Sequence, residues 1–65
     1  MCEYKVYLDG RLAYTDIVYV RKEGDTLVLR NALGAEARLR GYEIVLVDSF
    51  RERLELRRVG ASGGG

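Results

Sequence analysis

Residues 3–15 run Glu-Tyr-Lys-Val-Tyr-Leu-Asp-Gly-Arg-Leu-Ala-Tyr-Thr, and this stretch decides the fold. From Glu3 to Leu8 the side chains alternate, with Tyr4, Val6 and Leu8 on one face and Lys5 and Tyr7 on the other. That period of two is the mark of a half-buried strand. Asp9-Gly10 follows at once, and an Asp-Gly pair between two such runs favours a two-residue hairpin turn, because both central residues there take positive φ. Arg11 to Thr15 is the return strand. A chain that opens strand, turn, strand is expected to be all-β.

The same grammar continues outward. Asp16 to Arg21 (Ile17, Val18, Tyr19, Val20) is β-branched and aromatic without clean alternation, as in a strand that is buried on both faces or bends. Glu23-Gly24-Asp25 makes the next turn, and Thr26 to Arg30 alternates again, Leu27 and Leu29 opposite Val28 and Arg30. Asn31 to Glu36 reads as a loop or helical turn leading into a short strand at Ala37 to Arg40, with Ala37 and Leu39 inward. Tyr42 to Val47 is the most hydrophobic run and is expected to be a central strand. Asp48, Ser49 and Phe50 begin a turn that Arg51 to Arg53 complete. Leu54 and Leu56 then point inward, in a last strand ending near Val59. Residues 1–59 form one domain, and 60–65 (Gly-Ala-Ser-Gly-Gly-Gly) a flexible tail. Six to seven short strands with tight turns point to a small SH3-like or Sm-like β-barrel, since an open sheet leaves reactive edges. Pairing an edge across a dimer two-fold protects it equally well.

Sixty-five residues and 7.4 kDa leave no room for a second core. A chain this short buries only about 60% of the surface it exposes when unfolded, so a partner subunit would add stability. Eleven Lys+Arg against ten Asp+Glu leave a net charge of +1, too weak a field to select an acidic or nucleic-acid partner by itself. The absence of His removes Ser/His and Cys/His catalysis and His-ligated metals. One Cys cannot close an intramolecular disulfide or build a four-ligand zinc site within one chain. No apolar run approaches the roughly 18 residues of a membrane span, and none resembles a signal peptide, so the expected location is cytoplasmic, with no membrane partner.

Cys2 is the residue with chemistry to offer. It can pack as a small hydrophobe at the start of the first strand. Its functional reading depends on Met1. If Met1 is removed, the Cys2 amine and thiolate close a five-membered chelate around a soft metal. If Met1 is retained, its backbone nitrogen, the deprotonated Cys2 amide and the Cys2 thiolate chelate instead. Thiolate and nitrogen donors in a plane favour Ni(II) or Cu(II) over zinc, magnesium or calcium. One chain supplies two or three donors, so a four-coordinate site needs two chains, with both N-termini at a dimer axis.

Met1-Cys2 opening straight into a strand resembles the CooT family of small nickel-binding proteins. The resemblance runs on through Glu23-Gly24-Asp25, Asn31-Ala32-Leu33-Gly34-Ala35-Glu36, Gly41 before the strand of Ile44, Val45, Leu46 and Val47, then Asp48 and the last strand, Leu54 to Val59. It covers nearly the whole chain to about residue 59, and the Met-Cys start is its distinctive motif. It implies a β-barrel homodimer that binds Ni(II) between subunits through Cys2 and its backbone nitrogen. It also implies a metallochaperone or nickel store, serving maturation of a client nickel enzyme such as carbon monoxide dehydrogenase. Relatives also resemble proteins labelled predicted RNA-binding.

An RNA-binding β-barrel is therefore the alternative. Tyr4, Tyr7, Tyr14, Tyr19 and Tyr42 are candidates to stack bases, and Arg38, Arg40, Arg51, Arg53, Arg57 and Arg58 to meet phosphates. Against this, Glu36, Glu43, Glu52 and Glu55 are interleaved with the arginines, the pattern of a solvated mixed-charge face. Arg38 and Arg40, two apart on a strand, are then expected to pair with glutamates across it. Asp9, Asp16, Asp25 and Asp48 sit where turns are expected, so no carboxylate pair converges on a cleft. With no phosphate-cradling glycine motif and little volume for a substrate pocket, an enzyme is not expected. Leu33 and Phe50 are candidates for a dimer interface.

Overall fold

The computed structural model describes residues 2–60 and is all-β, with no helix among them. Six strands follow in order: β1 (Tyr4–Leu8), β2 (Arg11–Glu23), β3 (Thr26–Asn31), β4 (Glu36–Arg40), β5 (Tyr42–Asp48) and β6 (Arg53–Arg58). They form one sheet in the order β4-β3-β2-β1-β6-β5. Every neighbour pair is antiparallel except β1 and β6, which run parallel, Lys5 opposite Arg53 and Leu8 opposite Leu56.

The opening hairpin forms as its sequence dictates, with Asp9 at φ 50° and Gly10 at φ 87°. The return strand does not stop at Thr15. It continues through Asp16 as the 13-residue β2, so the two expected strands are one. Asp16 takes φ 60°, and the register slips on both sides of Ile17, between Val6 and Tyr4 in β1 and between Ile17 and Tyr19 in β2. The turn-like residue acts here as a bulge that bends a continuous strand, which explains why alternation fails at this point. The bend lets β2 pair with β1 through its first half and with β3 through its second. Asn31 to Ala35 forms a reverse turn rather than a helical one, and β4 starts at Glu36.

Val6, Ile17, Leu27, Leu29, Leu54 and Leu56 make the buried core, with Tyr4, Leu8, Tyr14, Ala37, Leu39 and Tyr42 packed around it. The inward alternation read for β1, β3, β4 and β6 is thus the observed one. Val28 is fully buried too, on the opposite face of β3. Its ladder neighbours there are Arg21 and Arg38, which are joined through Glu23.

One expectation is corrected. Tyr42 to Val47 is not a central strand but lies in β5 at the edge of the sheet, and Ile44, Val45, Leu46 and Val47 are all between 40% and 59% exposed. The ladder stays open: β4 and β5 are its two ends, and no pairing closes it into a barrel. The sheet is nonetheless strongly curled. Laid flat, five inter-strand gaps would hold β4 and β5 roughly 24 Å apart. They are joined by Gly41 alone, which spans about 7 Å at most between flanking Cα atoms. Gly41 takes φ 81°, its N–H donates to the Asp25 carbonyl at 2.9 Å, and its own carbonyl accepts the Val59 N–H at 2.7 Å. One glycine thereby pins the two edges together at one end. No helix of the described residues is long and apolar enough to cross a membrane.

Candidate functional site

Cys2 is exposed, two residues ahead of β1. Its apolar packing role is therefore not the one the fold uses. The strand that carries it is well anchored: β1 lies between β2 and β6, and the Lys5 N–H donates to the Glu52 carbonyl at 2.9 Å. Tyr4 stands opposite Ile17, and Ile17 opposite Asn31; Lys5 stands opposite Arg53, and Arg53 opposite Asp48. These registers bring the start of β1, the β3–β4 turn and the β5–β6 turn to one end of the sheet.

That end is apolar where it should be wet. Leu33, in the β3–β4 turn, is 94% exposed, and Phe50, in the β5–β6 turn, is 90% exposed. Each turn is shaped by a side chain at its base. Asn31 Oδ1 accepts the N–H groups of Leu33 at 2.9 Å and Ala35 at 3.0 Å. Asp48 Oδ1 accepts the Arg51 N–H at 3.0 Å, and the Arg51 guanidinium reaches its other oxygen at 3.3 Å. These bonds, the backbone one first, hold the Asp48 carboxyl below the usual carboxylate range. The two hydrophobic tips are held out by local hydrogen bonds, and Phe50 carries the Arg51 guanidinium 6.0 Å from its ring centroid. Between β2 and β5 lies an open cleft of about 250 Å³, lined by Tyr4, Ile17, Val18, Val20, Ile44 and Val47 among others. It begins at the strand Cys2 leads into.

Among the described residues no three or more His, Cys, Asp or Glu side chains come together as a metal-binding group. Cys2 is the only thiol. Thiolate and backbone nitrogen suit a soft, planar-coordinating ion, but one chain completes such a site only with a second. The Met1 backbone nitrogen lies outside the described residues, as do residues 61–65 of the expected tail.

The residues considered for RNA are distributed over the sheet and engaged within it. Arg38 meets Glu23 and Glu36, Arg40 meets Asp25, Arg51 meets Asp48, Arg53 meets Glu55, and Arg57 meets Glu43. Among the described residues the Arg58 guanidinium alone of that set meets no carboxylate, and it lies over Tyr42, 5.1 Å from the ring centroid. Arg53 stacks on Tyr7 at 3.8 Å and Arg30 on Tyr19 at 4.5 Å. Tyr4 and Tyr14 pack against the core. The aspartates stay apart: Asp9 and Asp25 serve turns, Asp48 the β5–β6 turn, and Asp16 the bulge of β2.

The exposed strip on β5 is what reading the sequence missed, whereas the tips, Leu33 and Phe50, were read as interface candidates and do stand exposed. A long apolar run signals burial, but the burial can be supplied by another molecule. The absence of any charge from Ile44 to Val47, followed by a turn that carries Phe50, was the available signal. No protein-family model matches the chain, and no curated protein matches it.

Proposed function

We propose that this protein is a nickel-binding homodimer, a metallochaperone or store that holds Ni(II) between two Cys2 thiolates and hands it to a nickel enzyme such as carbon monoxide dehydrogenase. The observation that carries the reading is the position of Cys2. It is an exposed thiol at the one end of the sheet where Leu33 and Phe50 are also left uncovered. An exposed thiol at the same end of the sheet as two uncovered apolar tips fits a contact between chains. Each chain brings a sulfur and its adjacent backbone nitrogen, and two chains complete a four-donor plane. The ion is cargo, and its exposure near the surface permits release by ligand exchange with a client. Cytoplasmic residence, where thiols stay reduced, is consistent with this chemistry.

Binding releases protons, because thiolate and nitrogen donors ligate only when deprotonated. Nickel affinity is therefore expected to weaken as pH falls from 8 to 6. An affinity unchanged over that range would exclude thiolate ligation. The RNA-binding alternative is less well supported, since its arginines and tyrosines are mostly engaged with groups of their own chain.

The decisive experiment is native mass spectrometry of the protein titrated with Ni(II), wild type beside Cys2→Ser. One nickel for each two copies, lost in Cys2→Ser, is the expected result, with a thiolate-to-Ni(II) charge-transfer band in the wild type alone. No nickel on either protein removes the proposal.

A further inference from the structure

We infer that the free edge of β5 is a self-pairing surface for a second copy of this chain, and that this copy is not the one that shares metal at Cys2. The sheet has two edges, and they are built differently. β4 is five residues long and sets Glu36, Arg38 and Arg40 along its length, the usual protection of an edge against strand addition. β5 has no charge from Ile44 to Val47, and all four side chains are substantially exposed. Among the described residues its only ladder partner is β6, so alternate N–H and C=O groups face outward. The cleft lined by Ile44 and Val47 opens beside it.

Charge favours an identical copy over a charged partner. The acids that flank the strip, Glu43 and Asp48, are already paired with Arg57 and Arg51 of the same chain. A partner of opposite charge gains little there, and a second copy is not repelled. A net charge of +1 adds no barrier. An uncharged edge strand that meets itself about a two-fold satisfies both copies at once.

The same pairing keeps the two Cys2 residues apart. Lys5 is level with Asp48 through Arg53, three residues from the middle of the strip, and Cys2 lies further along in the same direction. At about 3.3 Å per residue, a two-fold at Val45 separates the two Lys5 residues by roughly 20 Å along the strands, and the Cys2 pair by more. Metal ligation needs both sulfurs within one coordination sphere. The β5 contact and the Cys2 contact are therefore separate self-interfaces, and together they build an assembly larger than a dimer. This goes beyond the nickel reading, and its first half stands without metal.

The test is native mass spectrometry and sedimentation of the whole chain, in chelator and then in Ni(II), comparing wild type, Leu46→Lys, Leu12→Lys and Cys2→Ser. Leu46 faces Glu55 across the ladder, so a lysine there is tolerated within the fold. Leu12 is an exposed hydrophobe in β2, away from both contacts. In chelator, wild type, Leu12→Lys and Cys2→Ser are expected at the mass of two chains and Leu46→Lys at one, all with the same far-ultraviolet circular dichroism. In Ni(II), wild type is expected to reach four chains or more, Leu46→Lys two, and Cys2→Ser to stay at two. Should Leu46→Lys unfold, Val45→Lys, at the register shift, replaces it. A single-chain wild type in chelator overturns the inference, as does a Leu46→Lys protein that dimerises like wild type. A metal-free dimer lost in Cys2→Ser puts the axis at Cys2 and also overturns it. An intact β5 dimer that takes up no nickel refutes only the nickel reading.

Discussion

Asp9 holds a φ of 50° ahead of Gly10 and is tied down twice: its N–H donates to the Leu56 carbonyl, and its Oδ1 accepts the Arg58 N–H at 3.1 Å. A left-handed conformation costs most residues about 1–2 kcal/mol, and Asp and Asn less because their short polar side chains bond locally. Asp9→Ala is expected to lower stability by about that amount, while Asp9→Asn keeps most of it. Urea midpoints of the two variants check this, and equal midpoints would mean the backbone there is not strained. Asp9-Gly10 was fully legible because its chemistry is local. Asp16 was half legible: a turn former was visible, but not that β2 runs through it as a bulge. The surroundings of Cys2 were illegible. A thiol before a strand packs or stands exposed according to what the rest of the sheet leaves uncovered.

Among the elements, β3 and β6 carry the core, and Leu29 sits fully buried where β3 meets both β2 and β4. Leu29→Ala is expected to cost about 2–5 kcal/mol. A chain of this length holds a margin on the order of 3–10 kcal/mol, so the variant should melt far below wild type or be unfolded at 37 °C. Calorimetry decides it, and a Tm within a few degrees of wild type would show the core is not centred there. The inward positions of these strands were readable because alternation reports which face is buried. The place of β5 was not. Whether an apolar run sits in the middle or at the edge depends on which strands flank it. Here that depends on the parallel pairing of β1 with β6, joined across most of the chain and leaving no local trace.

At the scale of the whole molecule, ion pairs ladder across the curled sheet. The Arg40 side chain holds the Asp25 carboxyl below its ordinary 3.8, and Arg30 holds Glu36 below 4.5. Asp48 is lowered likewise, chiefly by the Arg51 N–H. A carboxyl whose folded pKa is depressed contributes stability that is complete above its unfolded pKa and is lost as pH falls through the folded one. The carboxylate contribution to Tm is thus expected to be level from pH 8 to 5 and to drop below about pH 4. Asp25 and Glu36 are solvent-exposed and Asp48 only partly buried, so the drop should be modest and shrink in high salt. Thermal melts in pH steps check it, and a Tm that rises toward pH 3 would reverse the sign. The all-β class and the turns at Asp9, Asp25 and Asp48 were readable at this scale, while two of the expected strands proved to be the single β2. The open ladder was not readable, since closure depends on curvature summed over six strands.

The parallel pairing of the first and last strands also gives the molecule a polarity. β1 and β6 leave from the same end and travel the same way, so Gly60 emerges at the end opposite Cys2. A label, a solid support or another domain joined at Gly60 is attached at the far pole. The protein can be held by its tail with its thiol facing outward.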